Sequence, residues 1–254
     1  MRRGDERVIS KTEKMLEARD ASYFLGGEKL LDRLSFSIGT GRRVAIVGAH
    51  GSGKSLTMRM LHGLIKPSEG QLLWKGNALD TNGMRAQSMV FKEPAILRRT
   101  VAQDLRFSLQ VKGRYSGVEI PEIQRLALAR AGLSHLADKQ ARLLTRGEQK
   151  RLAIARGLAT DPEILLLDEP TGNLEPNSLA MIEDMLLNAH SMGLTIVLVT
   201  HSLGQAKRLA QDVIVMHDGR IAETGPAEAV LSHPRSAAGR AWIEGRPHLE
   251  ARAR

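Results

Sequence analysis

Eight residues, Gly48-Ala49-His50-Gly51-Ser52-Gly53-Lys54-Ser55, constrain this chain more than any other stretch. They fit G-x-x-x-x-G-K-[ST], a phosphate-binding loop that requires a strand before it and a helix after it. Val44-Ala45-Ile46-Val47 supplies an apolar, strand-like run, and Leu56, Met60, Leu61 and Leu64 mark one face of the expected helix. Glycines let backbone N–H groups wrap phosphate oxygens, and the helix N-terminus adds partial positive charge. The phosphate-binding set is Gly48, His50, Gly51, Ser52, Gly53, Lys54, Ser55 and Leu56. Lys54 can reach β- and γ-phosphates, and the Ser55 hydroxyl can ligate Mg²⁺.

The rest of the composition narrows the class. Hydrophobic residues make up 42% of 254, enough for a sizeable core. The absence of cysteine removes disulfides and thiolate metal sites. No apolar run approaches the roughly 18 residues of a membrane span. The basic N-terminus, from Met1 to Arg7, has no apolar run behind it and does not read as a signal peptide. The expected location is cytosolic, or peripheral to a membrane through a partner. A net charge of +9 suits nucleic acid or anionic lipid, but equally an arginine-rich solvated surface, which is the favoured reading. With two Trp, two Tyr and four Phe, stacking platforms for single strands are scarce, and no nucleic-acid partner is expected.

Residues 15–38 alternate as antiparallel strands with a turn at Gly26-Gly27. Leu72-Leu73-Trp74 reads as a strand, and Ser88-Met89-Val90-Phe91 as a short buried one that Pro94 ends. Residues 101–142 carry helical periodicity through Ile123, Leu126, Leu128, Ala129 and Leu133, as in a helical insertion. Ile164-Leu165-Leu166-Leu167 and Thr195-Ile196-Val197-Leu198-Val199 are continuous apolar runs of the kind found in central parallel strands. Between them, Leu179, Ile182, Met185 and Leu186 mark a helix. Strands at 213–216 and 220–223 flank His217-Asp218-Gly219, a hairpin signal. The predicted organisation is a β subdomain with the phosphate loop over 15–93, a helical subdomain over 94–158, a second core part over 159–232, and a loosely packed tail over 233–254.

Three further elements bear on chemistry. Asp168-Glu169 ends an apolar strand: Asp168 can hold Mg²⁺, and Glu169 can take a proton from an attacking water. His201, past the next strand, can hydrogen-bond a γ-phosphate; alone it would read as a capping or core histidine. Leu144-Thr145-Arg146-Gly147-Glu148-Gln149 precedes a helix, where Thr145 and Gly147 suit an anion; the plain alternative is a helix cap by Thr145. Two subunits set head to tail could place that anion site over the partner's γ-phosphate.

The phosphate loop, the 144–149 signature, 165–169 and His201, in this order, resemble the ATP-binding subunit of an ABC transporter. The resemblance runs from about residue 15 to 225. It implies an α/β P-loop NTPase with a mostly parallel core sheet, an antiparallel β subdomain and a helical insertion. It implies ATP and Mg²⁺ as ligands, a homodimer sandwiching two ATPs, membrane permease subunits as partners, and a location on the cytoplasmic face of the membrane. Val90-Phe91-Lys92-Glu93-Pro94, Leu97-Arg98-Arg99-Thr100-Val101 and the tail from Pro234 to Gly245 are similar to tungstate-type importer ATPases, close to molybdate and phosphate importers. That narrower likeness implies oxyanion uptake, with an external solute-binding protein as an indirect partner.

Several positions depart from the family's pattern. Lys92 stands where a glutamine is usual and offers no acceptor, so it would pair with phosphate or swing outward. Thr145 and Arg146 replace the serine and first glycine of the signature, and Glu175 replaces an aspartate. Leu25 sits where a base-stacking aromatic is usual, leaving Tyr23 or Phe24 to stack or to serve as strand core. Lys92 and Arg146 together imply slow or unusually regulated turnover, while Lys54, Ser55, Asp168, Glu169 and His201 imply an active ATP hydrolase. The alternatives are an export-type subunit and a nucleotide-gated switch that barely hydrolyses. An ABC protein acting on nucleic acid would need a coiled coil or two fused units, and neither fits in 254 residues.

Overall fold

Strand β3 (Arg43–Gly48) is hydrogen-bonded on both edges, which is why its residues Val44, Ala45, Ile46 and Val47 are all fully buried. The computed structural model describes residues 13–172 and 174–246. In chain order its strands are β1 (Lys14–Leu25), β2 (Glu28–Gly39), β3, β4 (Glu69–Trp74), β5 (Asn77–Ala78), β6 (Gln87–Val90), β7 (Ile164–Asp168), β8 (Thr195–Val199), β9 (Asp212–His217) and β10 (Arg220–Pro226). Its α-helices are α1 (Lys54–His62), α2 (Thr81–Arg85), α3 (Val101–Lys112), α4 (Ile120–Arg130), α5 (Arg146–Ala159), α6 (Pro176–Ser191), α7 (Leu203–Leu209), α8 (Ala227–Ser232) and α9 (Ala237–Ile243). The described residues divide into two units: 13–84 with 195–246, and 85–172 with 174–194.

In the first unit, β3 runs parallel to β8 on one side and β9 on the other, and β9 forms the expected hairpin with β10. A separate antiparallel sheet has the order β2-β1-β4-β5, with the β1–β2 turn at Gly26-Gly27 as the sequence indicates. In the second unit, β6 and β7 pair in parallel, from Gln87↔Ile164 to Val90↔Leu167. Helices α3, α4, α5 and α6 pack in the same unit. Parallel strand pairs, a helix springing from a glycine-rich loop, an antiparallel sheet and a helical segment make this an α/β P-loop NTPase.

Three expectations need correction. The helix after the phosphate loop stops at His62, because Gly63 turns left-handed at φ 87° and caps it, so Leu64 lies outside the helix and 49% exposed. Phe91 is not strand: pairing with β7 ends at Val90, and the Phe91 ring is 40% exposed. The periodic stretch 101–142 is helical as expected, with α3 and α4 separated by residues 113–119 and followed by short 3₁₀ turns at Ser134–Leu136 and Ala141–Leu143. Lastly, the described part of the tail is anchored rather than loose.

That anchor is Glu223. Its carboxylate accepts hydrogen bonds from the backbone N–H groups of Arg235 (3.0 Å) and Ser236 (2.8 Å), and Ser236 caps α9. Burial alone would raise the Glu223 pKa, but the N–H bonds outweigh it and hold the carboxyl below its ordinary value of 4.5. A carboxyl held low when folded adds stability above its unfolded pKa and loses it as pH falls through the folded value. Glu223→Gln is therefore expected to cost about 1–2 kcal/mol at neutral pH. The gap from wild type, read from thermal unfolding, should shrink as the pH falls below the ordinary carboxyl range.

Candidate functional site

The phosphate loop begins where β3 meets β9. Gly48 has φ 145°, and a Cβ there would lie 2.1 Å from the Met216 carbonyl oxygen, so only glycine lets the strand end against its neighbour. The loop closes at Gly53, the N-cap of α1. No side chain caps this helix and no acid sits in its first turn, which is the condition for an anion at a helix N-terminus. Lys54 is buried; its Nζ donates to the carbonyls of Gly48 (2.9 Å) and Ala49 (2.6 Å) and lies 3.3 Å from Ser52 Oγ. The ammonium thus sits inside the loop that would surround a phosphate. Ser55 and Leu56 follow it in the first turn of α1, both half-buried.

His201 lies just past β8, exposed, and its ring centroid is 6.3 Å from that of His50 in the phosphate loop. Tyr23 is half-buried on β1 opposite Leu31. The neighbouring Phe24 ring already carries the Lys29 ammonium 4.9 Å from its centroid, and Leu25 is 61% exposed.

The second unit holds the carboxylates. Asp168 is buried at the end of β7, and Glu169 follows in a left-handed conformation at φ 48°, unusual for a non-glycine residue. The parallel register places Val90 beside Leu167, so the chain two residues further on brings Lys92 to Glu169. Lys92 Nζ lies 2.9 Å from Glu169 Oε2. The hydrogen bond to Glu169, aided by its charge, raises the Lys92 pKa. Of the two sequence expectations for Lys92, pairing with phosphate or swinging outward, this arrangement is neither: its partner is a protein carboxylate.

The signature segment starts α5. Thr145 is its N-cap: Thr145 Oγ1 accepts from the Glu148 backbone N–H (3.3 Å), and Glu148 Oε2 accepts from the Thr145 N–H (2.7 Å), a complete capping box. A hydroxyl used this way still has its own proton and a second lone pair. Gly147 has a packing reason to be glycine: a Cβ would lie 2.2 Å from Ser178 Oγ on α6. Ser178 in turn donates to Glu175 Oε1 (2.8 Å). Arg146 pairs with Glu93 at 2.9 Å, both exposed.

Sequence reasoning missed Lys150. It is buried on α5, and its Nζ donates to the carbonyl of Lys92 and reaches the carbonyl of Glu169 at 3.4 Å. Desolvation lowers its pKa. Its neighbours Glu148, Gln149 and Arg151 are polar, so nothing local marked it as a buried lysine.

A family profile described as ABC transporter matches residues 31–172. The chain belongs to the ABC transporter family. It is 37% identical over 240 residues to a methionine import ATP-binding protein of Caulobacter vibrioides, covering 90% of this chain and 72% of that one. It is 33% identical over 259 residues to a phosphate import ATP-binding protein of Natronomonas pharaonis, covering 96% and 90%. Among solved structures, cbiO1 of Clostridium perfringens, described as part of the ABC transporter complex cbiONQ, superposes with a TM-score of 0.78 at 30% identity, over 87% of this chain and 92% of that one. The protein is an ABC-type ATP hydrolase, from a family whose general ligands are ATP and Mg²⁺. Among the described residues, no helix is long and apolar enough to cross a membrane.

Taken unit by unit, the residue chemistry is compatible with those ligands: in the first unit an uncapped helix start, a buried ammonium and the Ser55 hydroxyl suit a phosphate and its cation, and in the second the Asp168 carboxylate is a hard oxygen donor of the kind Mg²⁺ prefers.

Proposed function

We propose that this chain is the ATP-binding subunit of an importer, peripheral to the cytoplasmic face of a membrane, and that it works as a head-to-tail homodimer on permease subunits. Lys54 and the loop from Gly48 to Leu56, including His50, Gly51, Ser52 and Gly53, bind the phosphates. Ser55 and Asp168 serve Mg²⁺. Glu169 is the general base, and His201 contacts the γ-phosphate. Thr145 and Gly147 act on the partner's nucleotide, and Tyr23 lies against the base. The metal polarises the phosphoryl oxygens when bound; the protein's share is to hold the phosphates and accept the proton of the attacking water. In this reading the core ATPase parts are 15–93 and 159–232, with 94–158 receiving the permease and 233–254 forming a C-terminal extension.

The observation that carries import is that both curated relatives are named as import subunits and are matched over most of their length. For the solute, the phosphate relative and the 90–101 segment favour an oxyanion such as tungstate. The 37% identity to the methionine relative supports methionine as a second reading. The test is ATP hydrolysis by the assembled transporter in vesicles, with a solute-binding protein loaded with either solute. Tungstate-stimulated hydrolysis is expected. Stimulation by methionine alone would replace the oxyanion reading, and no stimulation by any loaded binding protein would contradict import.

A further inference from the structure

Lys92 substitutes an ammonium for the neutral amide usual at its position, and that ammonium is seated on Glu169. The carboxylate is 13% exposed and the lysine side chain 50% exposed, so the cation covers the open side of an otherwise enclosed acid. The segment that carries Lys92 is tied to α5 at three successive points. Lys150 Nζ holds the Lys92 carbonyl, Arg146 Nη2 holds Glu93 Oε1 at 2.9 Å, and Arg156 Nη1 holds the Ala95 carbonyl at 3.0 Å. Arg156 is itself fixed by the buried Asp104 at 2.9 Å. Segment 92–95 and α5 are therefore fastened as one body. Lys150 adds a bond to the Glu169 carbonyl, which sets the backbone from which the carboxylate projects.

We propose that Lys92 is a positioning residue that latches Glu169, holding its carboxylate back from proton transfer until that ion pair opens. This rests on the reading of Glu169 as general base. A base must present a lone pair to the water it activates. An oxygen bonded to an ammonium has one lone pair taken, and its charge partly neutralised. A glutamine in place of Lys92 would take that ammonium off the carboxylate, so the latch is a property of this chain's own substitution. It accounts for an otherwise complete set of ATPase residues coexisting with a departure at their edge. Arg146 is the second departure, and it fastens the same segment.

The test is kcat and KM for MgATP hydrolysis by the full chain in wild type, Lys92→Gln, Lys92→Arg, Glu169→Gln and the double variant Lys92→Gln/Glu169→Gln. Lys92→Gln should raise kcat about two- to fivefold, the scale of one partly exposed ion pair, with KM little changed. Lys92→Arg, which keeps a cation on the carboxylate, should stay near wild type. Lys92 is half exposed, so its variants are expected to fold, and nucleotide binding followed by fluorescence verifies it. A Lys92→Gln rate at or below wild type, including no turnover in either, overturns the latch. If Lys92→Arg is activated as strongly as Lys92→Gln, the charge is not what restrains Glu169, and the latch again falls. With Glu169→Gln inactive, those outcomes leave the base assignment standing; turnover surviving in the double variant removes both.

Discussion

Lys54→Ala is expected to lower kcat/KM for MgATP by about two to three orders of magnitude, the cost of removing one preorganised charge-stabilising donor. The ammonium is buried in the phosphate loop and already desolvated, so it pays little reorganisation when phosphate displaces the carbonyls of Gly48 and Ala49. Its loss removes the positive charge and leaves those two carbonyls without that donor. Lys54→Arg should rescue poorly, because a planar guanidinium cannot fill a space shaped for a compact ammonium between two carbonyls and Ser52 Oγ. Steady-state kinetics together with equilibrium ATP binding separates the effects: both variants should weaken binding as well as turnover.

Glu169→Gln is expected to act differently. Its kcat should fall by about two to four orders of magnitude, the usual contribution of a positioned general base, while ATP affinity is kept or improved. The amide has nearly the same shape, so the left-handed backbone at Glu169 and the Lys150 contact to its carbonyl should survive. ATP that is bound but not cleaved should accumulate, and if the proposed homodimer holds, light scattering should then show a dimer. A variant that lost binding and turnover together would point to a structural role for Glu169.

Much of the fold was legible, for physical reasons that also explain the rest. The phosphate loop could be placed because its glycines, lysine and serine work only between a strand and a helix, and β3 and α1 stand there. The helix end could have been read too: apolar periodicity continued to Leu64, but Gly63 was the stronger signal, and the left-handed cap it permits ended α1 at His62. Strand β5 is two residues long and carries no periodicity to detect. At the site, residue types were legible and partners were not. Gly147 stood out as a required glycine, yet only packing on α6 names Ser178 as the group that excludes a Cβ. Lys92 was visible as an anomaly, but its partner depends on the β6–β7 register, which a local pattern does not contain. Glu223 was legible as a strand residue, but not its partners, the N–H groups of Arg235 and Ser236 just before α9.

The most direct measurement is phosphate release from MgATP by the purified chain, made side by side with Glu169→Gln and repeated in the Lys92→Gln background to lift the proposed restraint. Mg²⁺-dependent release is expected, and Glu169→Gln should abolish it in both backgrounds. Release at equal rates with and without Glu169 would contradict its assignment as the base.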